Sequence, residues 1–163
     1  MRKLMDLLAK HDVVAIQESH LLQVHADGLT HQVSHSHRAW HAHAIDAATG
    51  GVSIFVKNSL VADGSMTMCS THCEGRVLRW SSTFQGATLI IWNVHNHDIS
   101  NELAKEIASK ISDDSGCSFA SSPGRHITVA MGDWNFLSPG DRRVDYCVPG
   151  SVPAATTSAS RSK

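Results

Sequence analysis

An acid and an amide two residues apart, Asp133 and Asn135, stand directly behind the apolar run Ile127-Thr128-Val129-Ala130-Met131 and the turn residue Gly132. Side chains two apart on an extended segment point the same way, so both can enter one pocket where an α/β sheet exposes its strand ends. Two further segments end alike. Val13-Val14-Ala15-Ile16 runs into Gln17-Glu18, and Thr88-Leu89-Ile90-Ile91-Trp92 runs into Asn93, His95 and His97. Hard carboxylates at strand ends suit an oxygen-seeking ion such as magnesium, which binds through one or two carboxylates and keeps waters for a phosphate. The chemistry this predicts is metal-assisted hydrolysis of a phosphate ester.

Those groups need a scaffold, and the pattern of the chain supplies one. Leu4, Leu7 and Leu8 make a helical stripe with Asp6 and Lys10 as an i, i+4 pair, ending near His11-Asp12. The β-branched run 13–16 reads as a strand covered on both faces, and 127–131 as a buried strand. Gly50-Gly51 launches a strand over 52–56. Arg76–Trp80 and Thr88–Val94 flank Gln85-Gly86, which predicts a hairpin with a deeply buried second arm. Ser100 caps a predicted helix with Leu103, Ile107 and Ile111 on one face and Glu106 and Lys110 as a surface pair, closing at Asp113–Gly116. Residues 20–48 are polar and weakly periodic, so a loop with one weak strand near 38–41 is expected.

The chain has 163 residues, 42% of them apolar and 18% charged, which is one domain's worth of core. The domain is expected over residues 1–148, with a disordered Ser/Ala/Thr-rich tail over 149–163. A formal net charge of -1 provides no overall basic field, so any contact with nucleic acid must come from a local patch or from metal ions. No apolar stretch is long enough for a membrane span, and Asp6 and Lys10 interrupt any signal-peptide core. An intracellular setting, nucleus or cytoplasm, is the expectation. Cys69, Cys73, Cys117 and Cys147 lack zinc-site or disulfide spacing and read as reduced structural thiols. Twelve histidines, seven of them between His20 and His43, invite a transition-metal reading, but they lack the helical i, i+4 spacing that aims two rings at one ion.

Taken in order, Val13–Glu18, Gly50–Val56, Ile90–His95 and Val129–Asn135 resemble the endonuclease/exonuclease/phosphatase superfamily, which includes DNase I, apurinic endonucleases and LINE-type retrotransposon endonucleases. The resemblance covers about residues 1–146. It implies a DNase I-like four-layered α/β sandwich, here incomplete, with the first strand and the C-terminal strands missing. It also implies that Glu18 binds Mg2+, with Mn2+ as a substitute, and that Asp133 orients or deprotonates the attacking water. Asn135 would hold that aspartate and the phosphate. His95 would contact the phosphate, where a partly protonated imidazole could stabilise developing charge. Asn93, His97 and Arg142 become candidate substrate-binding residues, and His97-Asp98 stands where relatives carry a Pro-Asn pair.

The sequel Leu137-Ser138-Pro139-Gly140-Asp141-Arg142 is similar to retrotransposon-type members, so the expected partner is nucleic acid, DNA rather than RNA, with the rest of a longer polyprotein as a further partner. The terminal Ser-Asp-His motif of the family does not occur. Because such a constellation acts as a unit, the alternative is an inactive truncated remnant serving at most as a binding module. An inositol-phosphate phosphatase or deadenylase shares the core motifs and is a second alternative, and a histidine-rich metal-binding protein a third.

Overall fold

The computed structural model describes residues 1–46, 48–61, 65–84, 86–97, 99–116 and 125–134. Among them the elements run α1 (Arg2–Leu8), β1 (Val13–Ile16), α2 (Gln23–Val33), β2 (His37–Ala42), β3 (Val52–Lys57), β4 (Met66–Cys73), β5 (Val77–Phe84), β6 (Ala87–His95), α3 (Asn101–Gly116) and β7 (Arg125–Asp133). They form two sheets, one ordered β1-β3-β2 and one ordered β4-β5-β6-β7. Every pairing is antiparallel except β6 with β7, which run parallel through the crossover helix α3.

Three apolar clusters are the three seams of a four-layered sandwich. Strand side chains alternate between faces, so each strand feeds two seams. Val52, Ile54 and Val56 of β3 meet Leu78, Trp80 and Ile91 in the seam between the sheets. Phe55 points the other way and joins Leu8, Val14 and Val33 beneath α1 and α2. Val77, Ile90, Trp92 and Val94 form the outer face of the second sheet, covered by Leu103, Ile107 and Ile111 of α3. The predicted hairpin and buried arm are both present. Ser100 Oγ accepts the amide of Leu103 at 3.2 Å, and Lys110 pairs with Glu106 at 3.0 Å.

Three expectations need correction, and one strand was not foreseen. The strand expected near 38–41 is β2, but the rest of 20–48 is not simply a loop, because it contains α2. Only Ala26, Leu29 and Val33 of α2 face the core, and no side chain caps its start, so its periodicity is thin. β4 carried no sequence signal because it is an edge strand whose side chains are mostly exposed. α1 ends at Leu8, which leaves Lys10 outside it and Leu7 exposed. Among the described residues β7 lies at the edge of its sheet, with Ile127 57% exposed, so the apolar run is not buried there.

The expected tail, residues 149–163, lies outside the described residues, as do Cys117 and Cys147. Cys69 and Cys73 are free thiols. Among the described residues no helix is long and apolar enough to cross a membrane.

Candidate active site at the carboxyl ends of three strands

The face of β6 that turns to the seam between the sheets carries Leu89, Ile91, Asn93 and His95 in succession, two apolar residues followed by two polar ones. On β7 the same face carries Met131 and then Asp133, and the parallel register sets His95 opposite Asp133. The third contribution comes from β1, whose carboxyl end leads through Gln17 to Glu18. Glu18 Oε1 stands 3.5 Å from His95 Nε2. Glu18, His95 and Asp133 are thereby brought to one end of the sandwich, from segments remote in the chain.

Glycines make this convergence possible. Gly51 has φ +87°, and a Cβ there would stand 2.6 Å from Ser19 Oγ. The strand can then accept the loop that carries Glu18: the amides of Ser19 and His20 donate to the carbonyls of Gly51 and Gly50 at 2.9 and 3.0 Å. Those bonds hold Glu18 and His20 at φ +48°, a conformation costly for residues with a Cβ and sustained only where the surroundings impose it. At Gly132, with φ +150°, a Cβ would overlap the carbonyl of Val94. Glycine at this position lets β7 press against β6 and so brings Asp133 beside His95.

Asn93 lies behind the pocket and not on its surface. It is fully buried, its Nδ2 donates to the carbonyls of Ile16 and Ser53 at 3.0 and 2.9 Å, and its Oδ1 accepts from Gln17 Nε2. One amide thus ties β6 of one sheet to β1 and β3 of the other, directly beneath the Glu18 loop. Both of its amide N–H donors and its carbonyl oxygen are engaged with protein.

His95 is also buried, and its surroundings decide its chemistry. Arg76 Nη1 lies 3.0 Å from His95 Nδ1. Burial lowers the imidazole pKa below its ordinary 6.5, and the Arg76 charge lowers it further against the opposing pull of Glu18 and Asp133. Burial and the Arg76 charge thus work against the partly protonated imidazole expected from the sequence. His97 is exposed, and its ring stacks on His95 with centroids 5.7 Å apart. Asn96 holds the end of β7, its amide donating to the carbonyl of Asp133 at 2.8 Å and its Nδ2 to that of Trp134. Asn135, Arg142 and Asp98 lie outside the described residues.

Arg76 of the site was not singled out from the sequence, and Gln17 was read only as the neighbour of Glu18. Arg76 sits one residue before β5 in an unremarked Glu-Gly-Arg turn, and only the antiparallel register of β5 with β6 sets it against His95. The histidines of the 20–43 segment are not gathered into a centre. His37 is held by Ser36 Oγ and the His11 carbonyl, His41 by Ser53 Oγ and Thr30 Oγ1, so both rings have both nitrogens engaged. Among the described residues no three His, Cys, Asp or Glu side chains converge in a ready-made cage. Glu18, 57% exposed at the pocket mouth, offers hard carboxylate oxygens.

No family model matches the chain, and no curated protein matches it. Solved structures do. A humanized TDP2 of D. rerio bearing 14 mutations superposes with TM-score 0.54 at 20% identity, over 83% of this chain and 58% of that one. D. rerio TDP2 complexed with a single-strand DNA product gives TM-score 0.54 at 20% identity, over 84% and 54%. The AP endonuclease LMAP of Leishmania major gives 0.54 at 17% identity, over 79% and 47%. The chain spans about half the length of these structures. Its fold is the DNase I-like α/β sandwich of these structures.

Proposed function

We propose that this domain is a nuclease-type hydrolase that cleaves phosphodiester bonds in DNA with the help of a divalent metal, magnesium or in its place manganese. The observation that carries the reading is the meeting of Glu18, His95 and Asp133 at the carboxyl ends of β1, β6 and β7, with Glu18 Oε1 3.5 Å from His95 Nε2. Two fold neighbours are named for DNA work, one holding a single-strand DNA product and one an AP endonuclease, which favours DNA over RNA as partner. The donor set suits the ion. Glu18 is an exposed carboxylate, and its hard oxygens are the kind of ligand that magnesium and manganese take.

In this reading Glu18 holds the ion, which when bound supplies polarisation of the scissile phosphate and of the leaving oxygen. Asp133 orients the attacking water and takes its proton. Asn135 supports Asp133. His95 donates a hydrogen bond to a phosphate oxygen, which strengthens as negative charge develops there. Asn93 and Gln17 act as positioning residues for the Glu18 loop, while His97 and Arg142 contact the nucleic-acid strand. Within this class we assign the retroelement type, as part of a longer polyprotein, on the Asp141-Arg142 pair that follows the Gly-Asp-Trp-Asn motif.

The test is to incubate supercoiled plasmid and magnesium with the purified chain, beside an Asp133→Ala control. Nicking by the native chain at least ~100-fold faster than the control is expected for loss of a group that acts in the transition state. Equal rates would assign the chain to the binding-module alternative.

A further inference from the structure

We propose that Arg76 is a positioning residue that locks the His95 ring in the tautomer carrying its proton on Nε2, so that the ring enters the pocket as a hydrogen-bond donor. Arg76 Nη1 lies 3.0 Å from His95 Nδ1. A guanidinium has donors only and keeps its charge in proteins, so Nδ1 must meet it with a lone pair. The proton of a neutral ring then resides on Nε2, the nitrogen that faces Glu18 Oε1 at 3.5 Å. The opposite tautomer would set N–H against N–H at one end of the ring and lone pair against carboxylate at the other.

The grip is built at two points. Besides the guanidinium contact, the carbonyl of Arg76 accepts the amide of His95 at 2.8 Å. Arg76 is 5% exposed and His95 2%, which leaves the pair little room to rotate apart. The guanidinium also has a prepared slot. Gly50 adopts φ +79°, and a Cβ there would stand 3.4 Å from Arg76 Nη1 and 3.1 Å from the Gly75 carbonyl. The contact with His95 Nδ1 fixes the direction of the charged end of Arg76.

The use of the Nε2 donor on a phosphate oxygen rests on the nuclease reading; the tautomer does not. The experiment separates them. The whole chain, labelled with 15N in histidine and arginine, is studied by long-range 1H–15N correlation at pH 7.5, with His95→Gln assigning the ring. The wild type is expected at the limiting shifts of the Nε2–H tautomer, Arg76→Lys to stay there, and Arg76→Met to move toward the mixed-tautomer shifts of free imidazole. A wild-type ring protonated at Nδ1 or at both nitrogens, or Arg76→Met with unchanged shifts, would overturn the proposal.

Should Arg76→Met fail to fold, nitrogen–nitrogen coupling across the hydrogen bond between Arg76 Nη1 and His95 Nδ1 in the wild type decides. Its presence supports the lock and its absence overturns it. In the nicking assay Arg76→Met is expected to lower kcat by about tenfold with KM within about twofold, the split for an interaction made in the transition state. A native chain that does not nick at all, yet shows the locked tautomer, would refute the nuclease reading and leave the lock standing.

Discussion

Glu18 and His95 face each other across the two sheets, Oε1 to Nε2 at 3.5 Å, one on an exposed loop and the other buried at the end of β6. The buried partner is rigid and the exposed one is open to solvent, an arrangement that lets the carboxylate take a cation while the imidazole stays in place. Replacement Glu18→Gln keeps the shape and removes the charge. Magnesium-dependent nicking should fall by at least ~100-fold, a loss of about 2.7 kcal/mol of transition-state stabilisation. A plasmid-nicking titration over magnesium concentration checks this, and full activity of Glu18→Gln would exclude Glu18 as the metal carboxylate.

Gly132 is required by packing, whatever the chemistry of its neighbour. A methyl group there would overlap the Val94 carbonyl at a φ of +150° that other residues rarely adopt. Gly132→Ala should therefore cost roughly 3 kcal/mol or more, at the upper end for single substitutions. Urea unfolding followed by tryptophan fluorescence measures it, and a change below about 1 kcal/mol would contradict the β6–β7 geometry.

Asp114 anchors the end of α3 to the second sheet. Its carboxylate accepts from Arg79 Nε at 2.8 Å, Arg79 Nη2 at 3.0 Å and Trp92 Nε1 at 2.8 Å. Burial raises its pKa, but the hydrogen bonds from Arg79 and Trp92 outweigh burial and hold it below the ordinary 3.8. A depressed carboxylate stabilises the fold above its unfolded pKa and loses that contribution as pH falls through the folded value. Asp114→Ala should destabilise by about 2 kcal/mol at pH 7, because it leaves the Trp92 N–H and a half-buried guanidinium without their acceptor. Urea midpoints at pH 7 and pH 3 should converge between variant and wild type at the acid end; a constant gap would remove the ionisation from the account.

His41 makes stability respond to pH in a different window. Burial lowers its pKa from 6.5 to about 4, with a further push from His43. The unfolded chain then binds more protons than the folded one between those values, so stability is complete above pH 6.5 and declines as pH falls toward 4. His41→Gln should flatten part of that decline, the remainder coming from His72 and His95, whose pKa values are lowered in the same sense. Urea midpoints at pH 7.5, 5.5 and 4.5 test it, and a variant profile parallel to the wild type would disprove the assignment.

Among the described residues Ile127 presents a large apolar side chain at a sheet edge, 57% exposed. Edges of this kind template association. Ile127→Lys should reduce self-association in sedimentation at high concentration while altering the urea midpoint by less than the equivalent of about 0.5 kcal/mol. An unchanged sedimentation profile would show that this edge takes no part in association.

Much of this molecule was legible along the chain because its signals are local. The alternation Leu89, Ile91, Asn93, His95 places its own polar end beside its own core, and the Ser100 cap starts α3. α2 was not legible because three core residues make too thin a stripe, nor was β4, which buries little.

The site divides in the same way. Sequence alone determined which residue types end β1, β6 and β7, since strand period and side-chain chemistry are properties of neighbours. Only the tertiary structure decided that Asn93 turns inward as a clip between sheets, that Arg76 grips His95, and that burial holds the His95 pKa down. Those outcomes depend on register and burial, which are set by how whole layers meet and leave no trace in any one segment.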